Sequence, residues 1–133
     1  MKLEDLINTG EGVIIAMIPE TDEESCEWNV YIVNTKKDEI RNVLINSEGY
    51  GEINDKKIKT STLRWYFESI PVNGFALVEI IMEEVFGLSN QYWVSYSFGD
   101  TMYDKRFIFL PESIQRKNMV TIPIINKKGV LIK

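Results

Sequence analysis

Short runs of β-branched and aromatic residues, each closed by glycine, proline, asparagine or aspartate, recur along this chain at roughly ten-residue spacing. That punctuation constrains the fold more than any other feature. Val13 to Ile18 is a β-branched apolar run stopped by Pro19, and reads as a buried strand. Trp28 to Asn34, Ile40 to Asn46, Phe75 to Met82, Tyr92 to Phe98 and Met102 to Leu110 follow, each bounded by turn-forming residues. Helical spacing is confined to short pieces: Leu3, Leu6 and Ile7 before the Asn8–Gly12 breaker, and one turn's worth within Glu83 to Asn90. The expectation is an all-β domain of about seven or eight antiparallel strands with short helical turns, folded as a sandwich or barrel.

Several connections can be read more finely. Trp28–Asn34 and Ile40–Asn46 are separated only by the polar Thr35–Glu39 and are expected to form a hairpin. Gly49 and Gly51 are expected in a turn, as are Gly10 and Gly12, because neither pair has the context of a phosphate loop. Ile58 to Ile70 is compatible with strand or helix; the turn chemistry of Pro71-Val72-Asn73-Gly74 that follows favours strand. The best hairpin is Tyr92–Phe98 with Met102–Leu110, turning at Gly99-Asp100. Its residues Tyr92, Val94, Tyr96 and Phe98 fall on one face, with Trp93, Ser95 and Ser97 on the other.

The segment Ile70 to Ile80 resembles the corner before a mid-domain strand in immunoglobulin-like sandwiches, and Tyr92 to Leu110 is similar to their last hairpin. The resemblance spans residues 28–110 and is architectural: it implies an immunoglobulin-like or related sandwich and carries no functional residue. The inter-sheet cysteine pair is absent.

The 133 residues suit a single domain over 1–133, with 1–12 as a lead-in and 111–133 as a basic tail packed on the sheet. An apolar fraction of 44% is enough for a core that needs no metal or disulfide. Cys26 is the only cysteine, the N-terminus lacks the layout of a secretory signal, and no run approaches the ~18 apolar residues of a membrane helix. A cytoplasmic location is expected by elimination. The charge is uneven: residues 1–27 carry eight acids and one base, residues 105–133 one acid and seven bases. The basic residues are interleaved with a strand-like pattern, so the expected reason is mutual neutralisation of neighbouring ends, with neither nucleic acid nor membrane as partner.

Chemistry is bounded mainly by what is missing. The chain has no histidine, which removes Ser-His-Asp and Cys-His nucleophilic systems and histidine acid–base work. Zinc, haem and iron–sulfur ligation fail for want of ligands, and no cofactor is expected. Asp22, Glu23, Glu24 and Glu27 lack the spacing of a calcium loop and read as a solvated acidic loop. Those acids would raise the Cys26 pKa, making an inert thiol. No catalytic residue is nominated.

Aromatic residues give the candidate surface. In a strand, Trp65 and Phe67 share one face and Tyr66 takes the other, while Trp93 opposes the apolar face of its own strand. Trp65, Phe67 and Trp93 either cover a small secondary cluster or form an exposed patch for a partner. The tail from Thr121 to Lys133 either pairs with its own sheet, beside Val13–Ile18, or adds a strand to a second copy as a homodimer. The functional expectation is a non-enzymatic protein-interaction or structural module. The alternative is a small-ligand binder, or a carboxylate-dependent hydrolase, with a pocket between the sheets.

Overall fold

The computed structural model describes residues 12–21 and 27–133, which form ten strands in two antiparallel sheets. The strands are β1 (Val13–Pro19), β2 (Glu27–Asn34), β3 (Ile40–Ile53), β4 (Lys56–Lys59), β5 (Leu63–Ile70), β6 (Phe75–Met82), β7 (Ser89–Phe98), β8 (Thr101–Phe109), β9 (Val120–Thr121) and β10 (Lys128–Ile132). The first sheet runs β6-β2-β1-β10-β9. The second runs β4-β3-β7-β8, with β5 pairing along the same edge of β3 as β4. Helical structure among the described residues is limited to the 3-10 turns Glu83–Val85 and Arg116–Asn118. None of it is long or apolar enough to cross a membrane.

The two sheets face each other across one core. Ile15, Met17, Trp28, Val30 and Ile32 come from the first sheet; Val43, Ile45, Val94, Tyr96 and Phe107 from the second. Period-two alternation brings these residues to the inner faces, as a sandwich requires. This is the ground shared with the immunoglobulin-like expectation: a two-sheet antiparallel sandwich.

β1 is the exception to alternation, because all seven of its residues are buried. Its other face carries Ile14, Ala16 and Ile18. With Val33 they form a second cluster beneath Ile122, and Ile124 and Ile125 pack at its margin. The C-terminal segment is thus seated on its own chain, with β10 paired to β1 at Ile15–Ile132, Ala16–Leu131 and Met17–Val130. Glu20 shares a surface cleft with Arg116, Lys127 and Lys128, so the basic tail meets an acid of the N-terminal segment here.

Two expectations are corrected. β2 and β3 do not form a hairpin: β2 pairs with β1 and β6, β3 with β4, β5 and β7, and Thr35–Glu39 carries the chain from one sheet to the other. Asn34 fixes that crossing. It is fully buried, its amide donates to the carbonyls of Asp38, Ile70 and Pro71 at 3.0, 3.1 and 3.1 Å, and its oxygen accepts from Lys36 N–H at 2.9 Å. Lys36 then lays its ammonium over the rings of Phe98, Tyr103 and Tyr96. Gly49 and Gly51 are not in a turn either. They lie within β3 on its inner face, where Leu88 approaches so closely that a Cβ would sit 3.5 Å from it at Gly49 and 3.2 Å at Gly51.

The hairpins that do form obey turn chemistry. Asn54 and Asp55 join β3 to β4 with positive φ at both, as a two-residue connection favours. Gly74 N–H donates to Pro71 O at 2.9 Å across a turn with Asn73 at φ 57, and this turn hands the chain from β5 to β6 in the opposite sheet. Residues 58–70 are extended, with β5 beginning at Leu63.

Candidate functional site

The site is built around an irregularity in β6. Its pairing with β2 shifts register between Val30 and Tyr31, so that Tyr31 faces Leu77, Val30 faces Glu79, and Val78 is the extra residue. A bulge of this kind puts two successive side chains on one face. Strict alternation after the buried Val78 would send Glu79 to the outer surface. The bulge turns it inward instead.

Glu79 faces Ser47 on β3 and Tyr92 on β7 across the gap between the sheets, and their hydroxyls favour its charged form. Ser47 and Tyr92 are direct cross-strand partners on the inner face of the second sheet, and both are buried. Desolvation raises the Glu79 carboxyl above its ordinary range, partly offset by the two hydroxyls. Burial also pushes the Tyr92 hydroxyl well up, and the nearby carboxylate adds to that. Among the described residues no lysine or arginine forms an ion pair with Glu79.

These three groups line a cavity of about 220 Å³ at the open side of the sandwich, with Leu63, Ile81 and Val85 as apolar wall. The mouth exists because the partner strand along β3 is interrupted: β4 ends at Lys59 and β5 begins at Leu63. In the gap, Thr60 N–H donates to Gly49 O at 2.8 Å, and Thr60 Oγ1 accepts from Gly49 N–H at 2.7 Å, so residues 60–62 can leave the ladder without orphaning β3. Asn90 holds the far wall, its amide donating to Val85 O and Leu88 O. Glu48 follows Ser47 and alternates to the opposite face of β3, where Thr62 Oγ1 donates to it at 3.0 Å and Lys59 lies 3.6 Å away. Glu48 also borders the cavity, but its carboxylate is engaged by Thr62 and Lys59, whereas Glu79 has no basic partner among the described residues.

The residues nominated from sequence are placed differently. Trp65 and Phe67 point toward the core, half-buried at its margin, while Tyr66 between them is 60% exposed. Trp93 lies on the outer face of the second sheet, 40% exposed, with the Arg106 guanidinium 4.7 Å over its ring. The three do not share a face. Cys26, Asp22, Glu23 and Glu24, and the helical spacing at 1–7, lie outside the described residues. Among those residues no group of three or more potential ligands is placed to hold a metal ion.

What the sequence patterns pass over is the outer face of β6. Phe75, Leu77, Ile80 and Met82 all project there, 48, 47, 55 and 40% exposed. The same bulge explains them, since inserting one residue keeps 75 and 77 in line with 80 and 82. Tyr31 on β2 adjoins the row, its ring edge-on to Phe75 at 5.8 Å. Glu79 had a visible cue: it is the lone charge in the eight-residue run from Phe75 to Met82. Ser47 and Tyr92 had none.

No family model, no curated protein and no solved structure matches this chain.

Proposed function

We propose that the chain is a non-enzymatic protein-interaction module that self-associates through β6. The observation behind this reading is the row Phe75, Leu77, Ile80 and Met82, large apolar side chains side by side on the outer face of a strand at a sheet edge. Edge strands that stay single are blunted by charge or proline, and contiguous apolar surface of this kind is characteristic of interfaces. Among the described residues β6 pairs only with β2, so its second backbone edge suits a further antiparallel strand. A second copy supplies one: β6 against β6 about a two-fold axis sets the two apolar rows side by side on one continuous face, where each partly buries its twin. The adjoining half of the same face is already roofed by Ile122, Ile124 and Ile125, so the apolar face as a whole is one designed to be covered. Since β10 pairs within its own chain, the proposed contact lies at β6 and not at the tail. A cytoplasmic setting belongs to the same proposal, supported by a single cysteine that rules out an intramolecular disulfide.

Sedimentation velocity across a range of protein concentrations tests this, on the wild-type chain and on Leu77→Lys and Ile80→Lys. Dimeric wild type and monomeric, normally melting variants are expected. A wild type that stays monomeric at every concentration overturns self-association.

A further inference from the structure

We propose that the cleft between β3 and β6 is a binding site for a small organic cation, an ammonium group on a short hydrocarbon, with the nitrogen seated on Glu79.

Three independent features of the cleft lead there. The first is the backbone. Glu79 is carried inward by a bulge that interrupts the β6–β2 ladder. Bulges that re-aim one side chain in this way concentrate beside functional sites. The second is charge. A half-buried carboxylate without a basic partner among the described residues is electrostatically incomplete: the hydroxyls of Ser47 and Tyr92 favour its charged form, yet neither brings positive charge. An ammonium supplies that charge together with further donors for the remaining carboxylate lone pairs. The third is shape. About 220 Å³ is the liquid volume of roughly seven waters, which suits a molecule, or the end of one, of a few carbons. The walls opposite the carboxylate, Leu63, Ile81 and Val85, are apolar and match a hydrocarbon tail.

The same features select against other ligands. An anion would meet Glu79 with no cation to offset it. A neutral alcohol could hydrogen-bond but would leave the carboxylate's charge unmatched. Divalent metal is disfavoured because no group of three or more potential ligands among the described residues is placed to hold one, and the Glu48 carboxylate beside the cavity is already engaged by Thr62 and Lys59.

One carbon skeleton in three charge states provides the test. Isopentylammonium chloride, isopentanol and sodium isovalerate are titrated separately into the full chain, followed by amide and side-chain NMR shifts. The ammonium is expected to give saturable shifts confined to Ser47, Leu63, Ile81 and Tyr92. The alcohol is expected to bind at least roughly tenfold more weakly, the scale of one charge-assisted hydrogen bond, and the carboxylate not at all. Glu79→Gln should lower ammonium affinity by a similar factor while leaving the rest of the spectrum in place. Leu63→Trp, at a half-exposed position on the rim, should narrow the mouth and weaken binding without altering the carboxylate. Equal binding of all three compounds, ammonium shifts that scatter over surface acids, or unchanged affinity in Glu79→Gln each overturn the proposal. Because the readout is at the inner face of β6, its outcome is independent of whether the outer face dimerises.

Discussion

Replacing Ile122 with alanine should open the apolar seal that the C-terminal segment makes over the outer face of β1. Ile122 has no exposed surface and covers Ile14, Ala16, Ile18 and Val33. Its position is set by its own backbone: its N–H donates to Lys127 O at 2.8 Å, and its carbonyl accepts from Asn126 N–H at 2.9 Å. The substitution deletes three buried carbons, a transfer loss of about 2.4 kcal/mol at ~0.8 kcal/mol each. The floor of the site is two strands locked in a ladder, so it closes poorly over the gap and a cavity penalty adds to that. We expect a total near 3 kcal/mol, inside the usual ~2–5 kcal/mol range. For a chain of this length that is a fall of about 10 °C in Tm. Urea and thermal unfolding by circular dichroism measure it, with Ile124→Ala, at the partly exposed margin of the same cluster, as the comparison that should cost markedly less. An Ile122→Ala chain within about 1 kcal/mol of wild type, or one no worse than Ile124→Ala, would refute the claim that this segment seals the outer face of β1.

Tyr96→Phe is expected to be neutral or to stabilise by up to about 1 kcal/mol, read in the same melts, because the Tyr96 hydroxyl is buried and finds no partner among the described residues while its ring keeps its stack on Tyr103; a clear loss would show that the hydroxyl is bonded. Glu79 gives a pH signature. Its folded carboxyl lies above the ordinary 4.5, so the folded state holds the proton more tightly than the unfolded one; stability is therefore greatest below that ordinary value and falls as pH rises through the folded pKa. Glu79→Gln should abolish this fall, ending more stable than wild type at pH 7 with the gap closing toward pH 4, and identical pH slopes in the two proteins would contradict it.

How much of this was legible in the sequence depended on whether side-chain alternation was intact. The β7–β8 hairpin was readable because Tyr92, Val94 and Tyr96 alternate with Trp93, Ser95 and Ser97 without interruption, and Gly99 supplies the positive φ at the turn. β5 was readable from the turn after it. The partnership of β2 with β3 was misjudged because a five-residue polar link serves a hairpin or a crossing equally well. What decides is a buried Asn34 side chain bonding to carbonyls far along the chain, which local pattern does not reveal. Glu79 was overlooked because counting by twos fails at a bulge: one extra residue exchanges inner and outer faces for everything beyond it. The exposed row on β6 was hidden by the same shift. Gly49 and Gly51 suggested a break because glycine usually marks one, whereas here they make room for Leu88.

The pairing of β1 with β10 also sets a schedule. Ile15 lies opposite Ile132, so the first described strand waits for the last before the centre of its sheet exists. Until residue 132 has been synthesised, β1 has β2 on one side and an open ladder on the other, and the aliphatic surface later sealed by Ile122 stands uncovered. Long-range antiparallel closure of this kind is slow and leaves sticky edges exposed meanwhile. The first sheet is thus completed only once residue 132 is in place, and the unbroken run from Val13 to Ile18 is the stretch in greatest need of shelter until then.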